Sequence, residues 1–106
     1  MSLKLDYNSI STNYSCSAGD TTIIVDTTST TVQVTLPVAN TENGRIIIIK
    51  DSEGSASVNN ITVEPQGSET IEGATSLLVQ SDYGSVILAS SGSGGSSPGW
   101  AFISTN

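Results

Sequence analysis

The sequence predicts an all-β fold: an antiparallel β-sandwich or jelly-roll-like barrel of about nine short strands. Three observations carry this. Short β-branched runs follow one another along the chain, as TIIV, VQVTL, RIIIIK, ITVEP, LLVQ, SVILAS and WAFIS. Gly, Ser, Asn, Asp and Pro separate them at short intervals, as turns do in sandwiches and barrels. No stretch of ten or more residues shows the 3.6-residue apolar period of a helix.

The elements follow in order. Residues 1–9 read as a lead-in, and residues 10–106 as a single β-sandwich domain. A first strand covers 14–17 and ends at Ala18-Gly19-Asp20. A second covers 21–26, before a polar turn at 27–30. Residues 31–36 alternate cleanly, with Val32, Val34 and Leu36 on one face and Gln33 and Thr35 on the other. Pro37 ends that strand, because it cannot donate to a central ladder. Thr41-Glu42-Asn43-Gly44 reads as a turn with an Asn-Gly step. Residues 45–50 form the next strand and 51–57 a loop. Strands at 60–64, 69–72, 76–80 and 85–90 are closed in turn by Pro65-Gln66-Gly67, Gly73, Ser81-Asp82-Tyr83-Gly84 and SGSGGSSPG. That last Gly/Ser-rich stretch reads as a hairpin tip tolerant of change. Residues 100–104 are the final strand.

Composition narrows the function. The chain has 106 residues, no His, one Cys, and only 3 Lys plus Arg against 10 Asp plus Glu, a net charge of -7. So few cations cannot follow a phosphate backbone, which speaks against nucleic acid. The same charge disfavours anionic membranes. No apolar run is long enough to span a bilayer, and the N-terminus has no apolar signal-peptide core. Abundant Ile, Val and Leu in strand-length runs argue against disorder. Cys16 has no partner for an internal disulfide and reads as inert.

Candidate chemistry is sparse. Ser has no His to activate it, so a Ser-His-Asp triad is excluded, and Cys16 lacks an imidazole for the same reason. Zinc sites need Cys and His clusters that the chain lacks. Glu64, Glu69 and Glu72 lie close together in sequence and suggest a glycosidase carboxylate pair, but they flank turns and read as solvated charges. Asp51-Ser52-Glu53-Gly54 has the alternate oxygens of a calcium loop without its remainder, and reads as a turn. Asn13-Tyr14-Ser15 and Asn60-Ile61-Thr62 are sequons expected by chance in so Ser/Thr-rich a chain. SGSGGSSPG lacks the Lys and the following helix of a phosphate loop. Trp100 alternates with Phe102 and reads as core rather than as a sugar-stacking platform. The reading is of a non-enzyme without cofactor or metal.

Several strands are apolar on both faces. Ile46, Ile47, Ile48 and Ile49 run continuously, and the segments around Ile24, Leu78 and Ile87 behave alike. One face of each lines the core. The other must also leave water, against a second sheet or a second copy of the chain. Ile24, Ile46, Ile48, Leu78 and Ile87 are the candidate oligomer-interface residues, and the sequence leaves open whether Ile46 and Ile48 or Ile47 and Ile49 are the pair that faces outward.

The order of motifs adds a resemblance. V-T-L-P at 34–37 is followed by N-G-R-I-I-I-I-K-D at 43–51 and by I-T-V-E-P-Q-G-S-E-T-I-E-G at 61–73. S-V-I-L-A-S at 85–90 and G-W-A-F-I-S at 99–104 complete the series. Over residues 14–104 this resembles the small β-domain of phage tail-fibre and viral particle-surface proteins, including stand-alone virion proteins of large DNA viruses. The resemblance implies an antiparallel sandwich, often trimeric, with no catalytic residues to transfer. It implies a non-enzymatic virion structural or surface module, a homotrimer acting in particle assembly or host attachment. It would be assembled in the host cytoplasm beside other virion proteins, with host-surface glycan as a further partner class. The alternative reading is a monomeric, lectin-like carbohydrate-binding module.

Overall fold

A computed structural model of the chain describes residues 7–17, 19–39, 43–91 and 99–105. The described residues form an all-β, two-sheet structure. Ten strands appear in order: β1 (Tyr7–Ile10), β2 (Tyr14–Ser15), β3 (Thr22–Val25), β4 (Val32–Thr35), β5 (Asn43–Asp51), β6 (Ile61–Glu64), β7 (Thr70–Ile71), β8 (Leu77–Val79), β9 (Ser85–Ser91) and β10 (Gly99–Thr105). The six-stranded sheet runs β1-β3-β5-β9-β10-β7, and the four-stranded sheet β2-β4-β6-β8. Residues 92–98, most of the expected mobile tip, lie outside the described residues.

The first six strands alternate between the sheets, odd in one and even in the other. Each odd–even pair is one coil of a flattened solenoid, and the three coils stack in sequence order. Successive strands within a sheet therefore run the same way. β1–β3, β3–β5, β2–β4 and β4–β6 are all parallel. After β6 the pattern changes. β9 pairs antiparallel with β5, β10 with β9, and β8 with β6, while β7 runs parallel to β10.

The two-sheet architecture of short strands agrees with the sequence, but the expected antiparallel pairing is corrected to a mixed one. The reason is physical. Alternation of side chains shows which residues share a face, and says nothing of the direction of the neighbouring strand. The coils are also unequal. Tyr7 aligns with Thr22, yet Thr22 aligns with Ile48, so no internal repeat shows.

One strand is added, and the start of another moves. β1 takes in residues 7–9 of the expected lead-in. Its sequence, YNSI, has no apolar alternation and is held by pairing with β3 and by Asn8, whose Nδ2 donates to the buried Asp20 carboxylate. Asn43 and Gly44, expected in a turn, belong to the backbone of β5, where the register against β9 breaks before Ile46.

The core fills the space between the sheets. Ile23, Val25, Ile47, Ile49, Val86 and Leu88 face inward from one sheet, and Val32, Val34, Ile61, Val63 and Val79 from the other, all buried. Trp100 is buried among them, at the start of β10.

Beside it, Gly99 allows β10 to approach β7. A Cβ there would stand 2.3 Å from the Thr70 carbonyl oxygen, a backbone atom that cannot swing aside. Gly99→Ala is expected to cost about 1–3 kcal/mol by overpacking. Each kcal/mol lowers Tm by about 4–8 °C in a domain of this size. Thermal unfolding followed by circular dichroism checks this.

Candidate functional site: the outward face of the six-stranded sheet

Period-2 alternation fixes what this face presents. With Ile23, Ile47, Ile49, Val86 and Leu88 turned inward, their neighbours Ile24, Ile46, Ile48 and Ile87 must point out. Register then sets them side by side. Thr22 aligns with Ile48 and Ile48 with Ile87. One rung along, Ile46 aligns with Ala89 and Ala89 with Ala101. Ile24 aligns with Lys50, and Lys50 with Ser85. A β-bulge in β10 between Phe102 and Ser104 leaves Ile103 as the extra residue, 61% exposed.

Four of the five candidate interface residues thus share one face. Ile46 is 36% exposed, and Ile24, Ile48 and Ile87 are half-buried. Leu78 stands apart. It is 46% exposed on the four-stranded sheet, where it aligns with Thr62, and Thr62 aligns with Gln33. The next rung of that sheet is Ser15, Thr35 and Glu64.

The two outward faces therefore differ in chemistry. One carries Ile and Ala, and its strands offer one outward charge among the described side chains, Lys50. That ammonium donates to the Tyr83 carbonyl at 2.5 Å and lies over the Tyr83 ring. The other face carries Ser, Thr, Gln and Glu around a single Leu. Thr22, Lys50 and Ser85 interrupt the isoleucines on the first of these faces.

The remaining candidates are structural. Asp51 is fully buried at the inward end of β5. Its Oδ1 accepts from Thr27 Oγ1 at 2.7 Å, Glu53 N at 3.0 Å and Gly54 N at 3.1 Å. Its Oδ2 accepts from Ala56 N at 3.0 Å and Tyr83 N at 2.9 Å. Burial pushes this carboxyl up, but the bonds from Thr27 and from the Tyr83, Glu53 and Ala56 amides outweigh it and hold it down at about 2. Five protein donors fill its lone pairs, so the Asp51–Gly54 segment is a loop-tying hub rather than a calcium loop. Among the described residues no group of three or more His, Cys, Asp or Glu is placed to hold a metal.

Glu69 receives the Ala39 amide on both oxygens, at 2.9 and 3.1 Å, and so caps a loop. Glu64 stands on the polar sheet face, and Glu72 sits in a turn at φ 50°. Asn13 Oδ1 accepts from Gln33 N, and Asn60 Nδ2 donates to Ala56 O. The buried Trp100 presents no ring to a sugar.

Cys16 is half-buried against the core. Burial first, then the Asp20 charge, push its thiol up to about 12, against a smaller opposing pull from Arg45. The thiolate is the reactive form. Alkylation of native protein at neutral pH is therefore expected to run roughly a thousandfold slower than in denaturant, where the usual thiol value returns. Timed iodoacetamide labelling with mass spectrometry measures the ratio.

The motif order pointed to viral-particle proteins, and the family comparison points the same way. The family model for the bacteriophage T4 gp9/10-like protein, N-terminal, matches residues 5–102. The chain belongs to this family. It is a phage structural family, in agreement with the viral-particle resemblance read from the motifs. No curated protein matches the chain. As a gp9/10-like domain it is a virion structural module, and the built parts of its structure are loop ties, caps and sheet faces.

Proposed function

We propose that this gp9/10-like domain is a non-enzymatic assembly module. It forms a homotrimer through the face made by Ile24, Ile46, Ile48 and Ile87, and holds its place in the particle beside other virion proteins. It enters the particle in the host cytoplasm and serves assembly or host attachment. One observation carries the reading: four isoleucines that the core does not take, Ile24, Ile46, Ile48 and Ile87, share one sheet face, while the opposite face is Ser, Thr, Gln and Glu around Leu78. Isoleucine on a soluble surface is a liability, and a closed symmetric contact removes it. A domain this small also buries a limited core, so burial between copies adds stability. The number three rests on the likeness to phage fibre and particle-surface proteins. Carbohydrate binding finds no support at Trp100, because its ring lies in the core.

Mass spectrometry of purified particles tests the role. The chain is expected as a stoichiometric constituent that survives washing in high salt. Its absence from particles, with accumulation in the soluble lysate, overturns the reading.

A further inference from the structure

The stack of coils has two unlike ends. At one, β7 and β8 are edges of two and three residues. At the other, both edges belong to the first coil: β1 borders the six-stranded sheet and β2 the four-stranded sheet.

The backbone of that coil is half used. Asp26 N donates to Ile10 O at 2.8 Å, and Cys16 N donates to Thr35 O at 2.9 Å. In a parallel pair only alternate residues bond a given neighbour. Asn8 and Ile10 therefore face β3, and the N–H and C=O groups of Tyr7 and Ser9 face an edge that no described strand covers. Ser15 does the same on β2. Neither strand has the Pro, Lys or bulge that commonly blunts an edge.

The core is open there too. Ile23, Val25 and Val34 of the second coil are fully buried, whereas Ile10, Tyr14 and Cys16 of the first are only partly covered. Stacked repeats ordinarily need a cap over their last apolar layer.

Charge indicates the occupant. The chain carries -7, and Arg45 is already committed to the Ser17 and Asp20 carbonyls. Asp26, whose amide bonds Ile10, adds a carboxylate to the chain just after β3, where its Oδ1 accepts from Thr28 N.

We propose that the first coil binds an extended, basic segment of a different protein, which adds as a strand on β1 and lays alternate apolar side chains over Ile10, Tyr14 and Cys16. This is β-augmentation: main-chain bonds give affinity, and alternate side chains give specificity. The surface is separate from the isoleucine face and stands or falls independently of the trimer.

The test is a nuclear magnetic resonance titration of the whole chain with two peptides. Both alternate Val and Thr; one is flanked by Lys and the other by Glu. The Lys-flanked peptide is expected to give saturable shifts at Ser9, Ile10, Tyr14 and Cys16 and to slow exchange of the Ser9 amide. Binding should weaken at least tenfold for the Glu-flanked peptide and for Asp26→Asn. It should be lost in Ser9→Pro, which removes an outward N–H and keeps the β3-facing bonds. Three results overturn the proposal: no saturable shift at millimolar peptide, shifts confined to Ile46, Ile48 and Ile87, or a Ser9 amide already protected in the free chain.

Discussion

Asp51→Ala is expected to destabilise the chain by about 3 kcal/mol or more, since each buried donor left without a partner costs about 1–3 kcal/mol. Domains of this kind hold only about 5–15 kcal/mol in all. The carboxylate joins three loops at one end of the sandwich: Thr27 after β3, residues 53–56 after β5, and Tyr83 before β9. Losing it releases all three together. The local backbone shows how much the arrangement demands. Tyr83 sits at φ 60°, and a Cβ on Gly54 would meet the Tyr83 ring at 2.4 Å.

The same carboxyl makes stability depend on pH. Its folded value of about 2 lies below the ordinary value of about 3.9 for an unfolded Asp. A depressed acid stabilises the fold when ionised. Its contribution is fully present above about pH 5 and is lost as pH falls through 4 toward 2. Urea midpoints of the wild type should fall across that window. Asp51→Asn should start lower and show a flatter fall. Equal acid slopes in the two proteins would remove Asp51 from its role.

Ile47→Asp with Ile49→Asp is expected to abolish folding, whereas Ile46→Asp with Ile48→Asp should leave the secondary structure intact. These four residues are neighbours in sequence and share their chemistry; position alone separates them. Ile47 and Ile49 are fully buried, aligned with Leu88 and Val86 across β9. An isolated carboxylate there costs several kcal/mol even after relaxation. Two such charges exceed what a domain of this size holds. Ile46 and Ile48 sit on the outer face, where a carboxylate keeps its water in the monomer. Far-UV circular dichroism separates the two outcomes directly.

These residues also show how far the sequence could be read. The run of four isoleucines announced two apolar faces, because a strand alternates. It could not say which pair was core, since that depends on the partner sheet. Strand positions from β3 to β10 were legible as runs rich in apolar and β-branched residues between turn residues, and β2 from the turn that follows it. β1 was not, because Tyr-Asn-Ser-Ile has no apolar period and is held by long-range contacts: the β3 ladder and the Asn8 bond to Asp20. The parallel coils were hidden by their unequal lengths. Asp51 read as an ordinary turn residue, for its donors lie 24 and 32 positions away in Thr27 and Tyr83. Leu78 looked like Ile24 and Ile87 in sequence, and only the assignment of β8 to the other sheet set it apart.

The isoleucine face as a contact between copies is tested most directly by the molar mass of the purified chain at micromolar concentration, measured by light scattering after gel filtration. The expected mass is three times the 10.9 kDa chain mass for the wild type, falling to one chain in Ile46→Asp with Ile48→Asp. A wild-type protein that runs as a monomer, with the same mass as that variant, would contradict it.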